Sequence, residues 1–137
     1  MRPTPPFVMS LPIADRPTSH LFYGQGLGFE TPGELADDGV PEPLVVVVND
    51  QTQLMLIPTG GFGWVIAGRE VAATGQIECL LSLNAAAADE VDTWVARAVA
   101  AGATVVSEPA QQPWGYAGTF ADPDGHLWMV AAEPQFG

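Results

Sequence analysis

Between Thr119 and Val130 two short apolar runs are joined by Asp122-Pro123-Asp124-Gly125. Pro123 presets the backbone angle of a turn, Gly125 can take a positive φ without a Cβ clash, and either aspartate can bond its own backbone. The flanking runs, Tyr116 to Ala121 and His126 to Ala131, are rich in aromatic and β-branched residues, so the stretch reads as a closing β-hairpin. A chain that ends this way needs other strands for the hairpin to pair with, and the rest of the sequence offers them in a repeated order.

Phe7 to Ile13 reads as a first strand, with Phe7, Met9, Leu11 and Ile13 on one face and Pro12 near its end or on an edge. Asp15 is placed to cap a helix that takes Pro17 in its first turn, runs through Phe22-Tyr23 and stops near Gly24 to Gly28. Leu27 to Glu30 predicts a short second strand, and Thr31 to Pro43 an acidic loop. Leu44 to Val48 and Gln53 to Ile57 form a hairpin across Asn49 to Thr52. A glycine-rich connection follows from Pro58 to Thr74; its Phe62, Trp64, Val65 and Ile66 suit a loop lying over a cavity or against a second subunit. The order then begins again. Gln76 to Leu83 predicts a strand, and Ala86 to Ala101 a helix with Val91, Trp94, Val95, Ala98 and Val99 on one stripe, stopped by Gly102. Thr104 to Ser107 is a further strand before the closing hairpin. Leu54-Met55-Leu56-Ile57 and Trp128-Met129-Val130-Ala131 end corresponding strands of the two halves.

Phe22-Tyr23, Leu27-Gly28-Phe29, Ala101-Gly102-Ala103 and Asp122 to Trp128 together resemble the vicinal oxygen chelate superfamily. That group includes glyoxalase I, bleomycin-resistance proteins, fosfomycin-resistance thiol transferases and extradiol dioxygenases. The resemblance implies an α+β fold of two tandem β-α-β-β-β modules forming a curved, cup-like mixed sheet. Module one would span about 5–58, the connecting loop 59–74 and module two about 75–133, in a single glyoxalase-like domain. Metal-dependent members carry ligands on the first and last strands of each module. Laid on this chain, those positions are Val8, Met55, Glu78 and Met129. A catalytic divalent ion needs about three His, Asp, Glu or Cys ligands, and a thioether does not hold Zn²⁺, Mn²⁺ or Ni²⁺ in such a site. One carboxylate in four positions predicts a protein without metal or other cofactor. His20 is expected on the first helix, exposed or packed, and His126 beside the closing turn.

Glu78 is the candidate catalytic residue, because a carboxylate on a strand facing an apolar cup suits a general base. It could equally meet a cationic ligand, or pair with Arg69 or Arg97. The candidate ligand-binding residues are Phe62, Trp64, Trp114, Tyr116, Trp128 and Gln112, since aromatic faces stack on planar or cationic groups and an amide adds donors. Trp94 and several of these aromatics are also expected in the core. Bleomycin-resistance proteins are acidic, dimeric and aromatic-lined, which this chain's charge and aromatic loop resemble. The leading function is therefore a glyoxalase/bleomycin-resistance-like protein that is expected to bind a small organic ligand, aromatic or cationic, as a homodimer and without a catalytic metal. The alternatives are a metal-dependent lyase, thiol transferase or dioxygenase of the same superfamily, or a cofactor-free enzyme using Glu78.

The net charge of −12, with four arginines and no lysine, repels phosphate backbones and excludes nucleic acid as a natural partner. No apolar run approaches the roughly 20 residues that a membrane helix requires. The N-terminal Met-Arg-Pro-Thr-Pro-Pro lacks a signal-peptide core, and a single cysteine, Cys79, allows no intrachain disulfide, so the expected compartment is the cytoplasm.

Overall fold

The structure, a computed structural model, describes residues 1–132. The expected end of module two, at residue 133, lies just outside them. The chain divides near Ala72–Ala73 into two compact units, each with its own sheet. Parallel and antiparallel pairs occur in both sheets, and a few helices complete a mixed α+β fold.

In the first unit β1 (Phe7–Ile13), β2 (Leu44–Asn49) and β3 (Thr52–Pro58) pair in the order β1-β3-β2. Leu11, Ile13, Leu44, Val46, Leu54 and Leu56 are buried on one face. Helix α1 (Arg16–His20) continues as a π-helical segment over Leu21–Gly26. Asp15 caps it as expected: its carboxylate accepts from the Thr18 amide at 2.9 Å and from the Thr18 hydroxyl, and these bonds hold its pKa below the usual value. Phe22 and Tyr23 are buried edge to face, their ring centroids 4.9 Å apart, and Leu27 is buried beside the helix end. Each such side chain contributes about 1.5–3 kcal/mol. The sequence markers Phe22-Tyr23 and Leu27 are thus core residues.

The expected strand at Leu27–Glu30 is reduced to one bridge, Glu30 opposite Val47. Its physical reason lies in the neighbouring bonds: the amides of Leu27, Gly28 and Phe29 bond back to Phe22, Gly24 and Tyr23, leaving only Glu30 to pair. The acidic loop after it is held by Arg16. That guanidinium bonds Asp38 at 2.9 Å and the carbonyls of Val40 and Pro41, and stands 3.1 Å from Glu42. The glycine-rich connection also departs from expectation, because Thr59–Val65 winds into helix α2. The Thr59 hydroxyl donates to the Ile13 carbonyl at 3.1 Å and so fixes the start of α2 to the end of β1.

The second unit contains β4 (Leu80–Ala85), α3 (Ala88–Ala100), β5 (Thr104–Gln112), β6 (Gly115–Ala121) and β7 (Leu127–Ala132), with strand order β4-β7-β6-β5. Helix α3 covers one face through Val91, Val95 and Ala98; Trp94 is half-buried and Val99 exposed. Gly102, at φ 115°, stops the helix: its amide bonds Val99 O, and the Ala103 amide bonds Ala98 O. At the other end Ala87 has no capping side chain, and Glu90 reaches back to the Ala86 amide at 2.7 Å.

Strand β4 starts at Leu80 rather than Gln76. Its partner β7 starts at Leu127, opposite Leu80, so the preceding residues have no strand to pair with there. They turn instead, with the Gln76 amide bonded to Ala73 O. The Asp-Pro-Asp-Gly turn forms as expected. Gly125 has φ 90°, and the buried Asp122 carboxylate accepts from the amides of Asp124 and His126, both at 2.9 Å. Strand β5 runs on past Ser107 to Gln112, with two register irregularities and Pro109, a pattern typical of an edge strand.

Candidate functional site

Strand alternation assigns each side chain of the second sheet to one of two faces. A Cβ on Gly118 would point at Val95 of α3, and Phe120 stacks on Trp128 at 6.4 Å, so these three residues mark the helix-covered face. Their neighbours mark the other. Register gives this open face three rows across β4, β7 and β6: Leu80–Leu127–Ala121, Ser82–Met129–Thr119 and Asn84–Ala131–Ala117. No charged side chain stands in these rows. Alanines stand at 117 and 121 on β6 and at 131 on β7. Thr119 is half-buried, and its Oγ1 is buried with no hydrogen-bond partner among the described residues.

The first sheet is built alike. Leu54 and Leu56 face its core, so Val8–Gln53–Val47 and Ser10–Met55–Val45 form rows on the opposite face, followed by Pro12–Ile57. One carboxylate, the exposed Glu30, stands at the margin of this face opposite Val47. Met55 and Met129 therefore occupy matching positions in the two sheets, each beside a serine of the first strand, Ser10 or Ser82.

That register decides whether the metal implied by the resemblance fits. Val8 lies beside Gln53 rather than Met55, and Glu78 lies two residues ahead of β4 in the exposed connection rather than on a strand. The residues that do stand beside Met55 and Met129 are hydroxyls and aliphatic groups. Among the described residues no three His, Cys, Asp or Glu side chains gather closely enough to hold an ion. The donor set does not fit a catalytic divalent metal. His20 is bound at 3.1 Å to Thr31 Oγ1, and His126 closes the turn through its backbone.

The predicted aromatic residues are not gathered on one surface. Trp128, 2% exposed, is a core residue under α3. Tyr116 also faces the helix: its hydroxyl donates to Asp92 Oδ1 at 2.7 Å, which raises its pKa above 10.0. Phe62 is half-buried on α2, and Trp64 on the same helix is 84% exposed. Gln112 ends β5 and Trp114, also exposed, lies in the β5–β6 turn, so these two are neighbours at one hairpin tip. Sequence reasoning passed over Ser10, Ser82, Asn84 and Thr119. The signal lay in their neighbours: Ser10 and Thr119 alternate with the buried Leu11 and Phe120, and Ser82 and Asn84 with the half-buried Leu81 and Leu83. A groove of about 550 Å³ between α3 and β5, lined by Asp92, Val99, Val105 and Glu108 among others, lies on the helix side and away from this face.

Two sheets with first, last, third and second strands as neighbours, one complete and one with its second strand cut to a bridge, define a glyoxalase-like fold. The chain belongs to the Glyoxalase/Bleomycin resistance protein/Dioxygenase superfamily, whose family model matches residues 8–130. Among solved structures it is similar to a glyoxalase-related enzyme from Fulvimarina pelagi, with 27% identity over 98% of this chain and 90% of that one, at a TM-score of 0.80. It is also similar to a hypothetical protein from S. aureus, with 28% identity over 92% of this chain and 91% of that one, at a TM-score of 0.78. An antibiotic binding protein from Streptomyces sp. CB03234 shares the fold at 24% identity, covering 98% and 99% of the two chains, with a TM-score of 0.66. No curated protein matches the chain.

Proposed function

We propose that this protein binds a small organic molecule on the open face of a sheet and does so without a catalytic metal. The observation that carries the reading is the pair Met55 and Met129. The resemblance lays each on the last-strand position at which the family's metal-dependent members place a ligand, and each stands beside a serine rather than an imidazole or carboxylate. A thioether beside a hydroxyl offers a soft, polarisable surface, which suits contact with an aromatic ring better than Lewis-acid chemistry. The antibiotic binding protein with the same fold supports only the capacity of the scaffold, since its likeness is one of fold.

A homodimer is part of the same proposal. Phe7, Leu35, Trp64 and Val65 are each more than half exposed, and large side chains of this kind are commonly covered by a second copy. Sedimentation of the wild type and of Trp64→Ser tests it. A dimer weakened by the substitution supports the proposal, and a wild-type monomer at tens of micromolar contradicts it.

Binding and catalysis are separated by a thermal-shift screen of aromatic compounds followed by chromatography of each hit. The reading expects a raised melting temperature and full recovery of the compound. A hit that is consumed in proportion to time would replace the binding protein with an enzyme.

A further inference from the structure

We infer that the open face of the second sheet selects an uncharged aromatic ligand carrying a hydrogen-bond acceptor, with Thr119 as its anchor. This inference rests on the binding function proposed above and names the ligand class. Three observations point to it. The rows across β4, β7 and β6 hold no charged side chain, although the whole chain carries −12. A cation moved from water onto this face would lose its hydration without gaining a counter-charge, whereas a neutral ring would lose little. The alanines at 117, 121 and 131 keep the rows on either side of Met129 low, and its thioether stands between them.

The third observation is the Thr119 hydroxyl. A buried hydroxyl is normally bonded, and this one has no partner among the described residues. Parity places it on the open face, opposite Met129 on one side and Ser107 on the other. The buried part of Thr119 is Oγ1, while the residue as a whole is only half-buried. Rotation about χ1 exchanges the hydroxyl with the methyl group, and a threonine populates more than one such rotamer. A ligand carbonyl above Met129 would give the hydroxyl the acceptor it lacks.

The test uses two tricyclic probes of matched shape, neutral acridone and cationic 9-aminoacridine, titrated by fluorescence at pH 7 in about 0.5 M salt. At that salt the long-range attraction of a cation to the acidic protein is screened. Acridone is expected to bind at least tenfold tighter. Thr119→Val should weaken acridone about tenfold, the usual scale of one lost hydrogen bond, and leave 9-aminoacridine unchanged. Thr119→Ser, which keeps the hydroxyl, should retain acridone binding, and it preserves the test if the valine variant misfolds. Tighter binding of 9-aminoacridine, above all if lost in Glu78→Gln, would overturn the inference and leave the binding function standing. Equal acridone affinity in wild type and Thr119→Val would overturn the anchor. Failure of both probes, and of the wider aromatic screen, would overturn the binding function and the inference with it.

Discussion

Gly118 sits where β6 passes beneath both α3 and the edge strand β5. A Cβ built on it would lie 2.9 Å from Pro109 Cγ, 3.1 Å from Val95 Cγ2 and 3.2 Å from Pro109 Cα. The last contact is with backbone, and Val95 is buried, so neither neighbour can yield freely. Overpacking of this kind costs about 1–3 kcal/mol. The reduced freedom of the unfolded chain returns about 0.4–1 kcal/mol, leaving Gly118→Ala destabilised by about 1–2 kcal/mol. Unfolding entropy of about 2.1 cal/mol/K per residue converts this to a fall of about 3–7 °C in melting temperature for a chain of 137 residues. Gly63→Ala is the internal control: nothing lies within 4 Å of its added Cβ, and in α2 the change favours the helix. Calorimetry of wild type, Gly118→Ala, Gly118→Ala with Pro109→Ala, and Gly63→Ala should show a fall, a partial recovery and no fall. A Gly118→Ala variant as stable as wild type would refute the packing argument.

Other consequences are as direct. Gly125 combines a φ of 90° with a Cβ position 3.1 Å from Thr74 Cγ2, so Gly125→Ala should lose about 1–2 kcal/mol, read from urea unfolding. The Arg16 bond holds the Asp38 carboxyl below its ordinary pKa of 3.8. A group whose folded pKa is depressed contributes stability that is present above the unfolded value and lost as pH falls through the folded one. Asp38 should therefore titrate below 3.8 by NMR, and Arg16→Gln should return it towards that value; an unmoved midpoint would show that the pair is absent in solution. Asp92→Asn should lower the Tyr116 midpoint towards 10.0, since the carboxylate acceptor is the main cause of its rise; spectrophotometric titration reads it.

Much of the fold was legible because it rests on short-range rules. The Asp15 cap, the Gly102 stop, the Asp-Pro-Asp-Gly turn and β1 each depend on residues within a few positions of one another. What was hidden depended on partners distant in sequence. The start of β4 is set by where β7 begins, and the loss of a strand at Leu27–Glu30 by bonds back to the helix. The site residues divide in the same way. Met55 and Met129 were recognised because the repeated apolar runs align them. Trp128 and Tyr116 were expected to meet a ligand, but one face of a strand cannot be told from the other by residue type alone. Trp128 turns to α3 because its neighbours Phe120 and Leu81 share that face. The same parity turns Thr119 and Ser82 outward, and these small polar residues gave no signal of their own.

Elemental analysis of the tag-free protein bears most directly on the proposed metal-independent binding. The protein would be incubated with Mn²⁺, Fe²⁺, Co²⁺, Ni²⁺, Cu²⁺ and Zn²⁺ and then dialysed. With methionine, serine and aliphatic groups at the positions that would carry ligands, it should retain far less than one ion per chain. Retention of a near-stoichiometric ion would contradict that account and make a metal-dependent enzyme of this superfamily the better description.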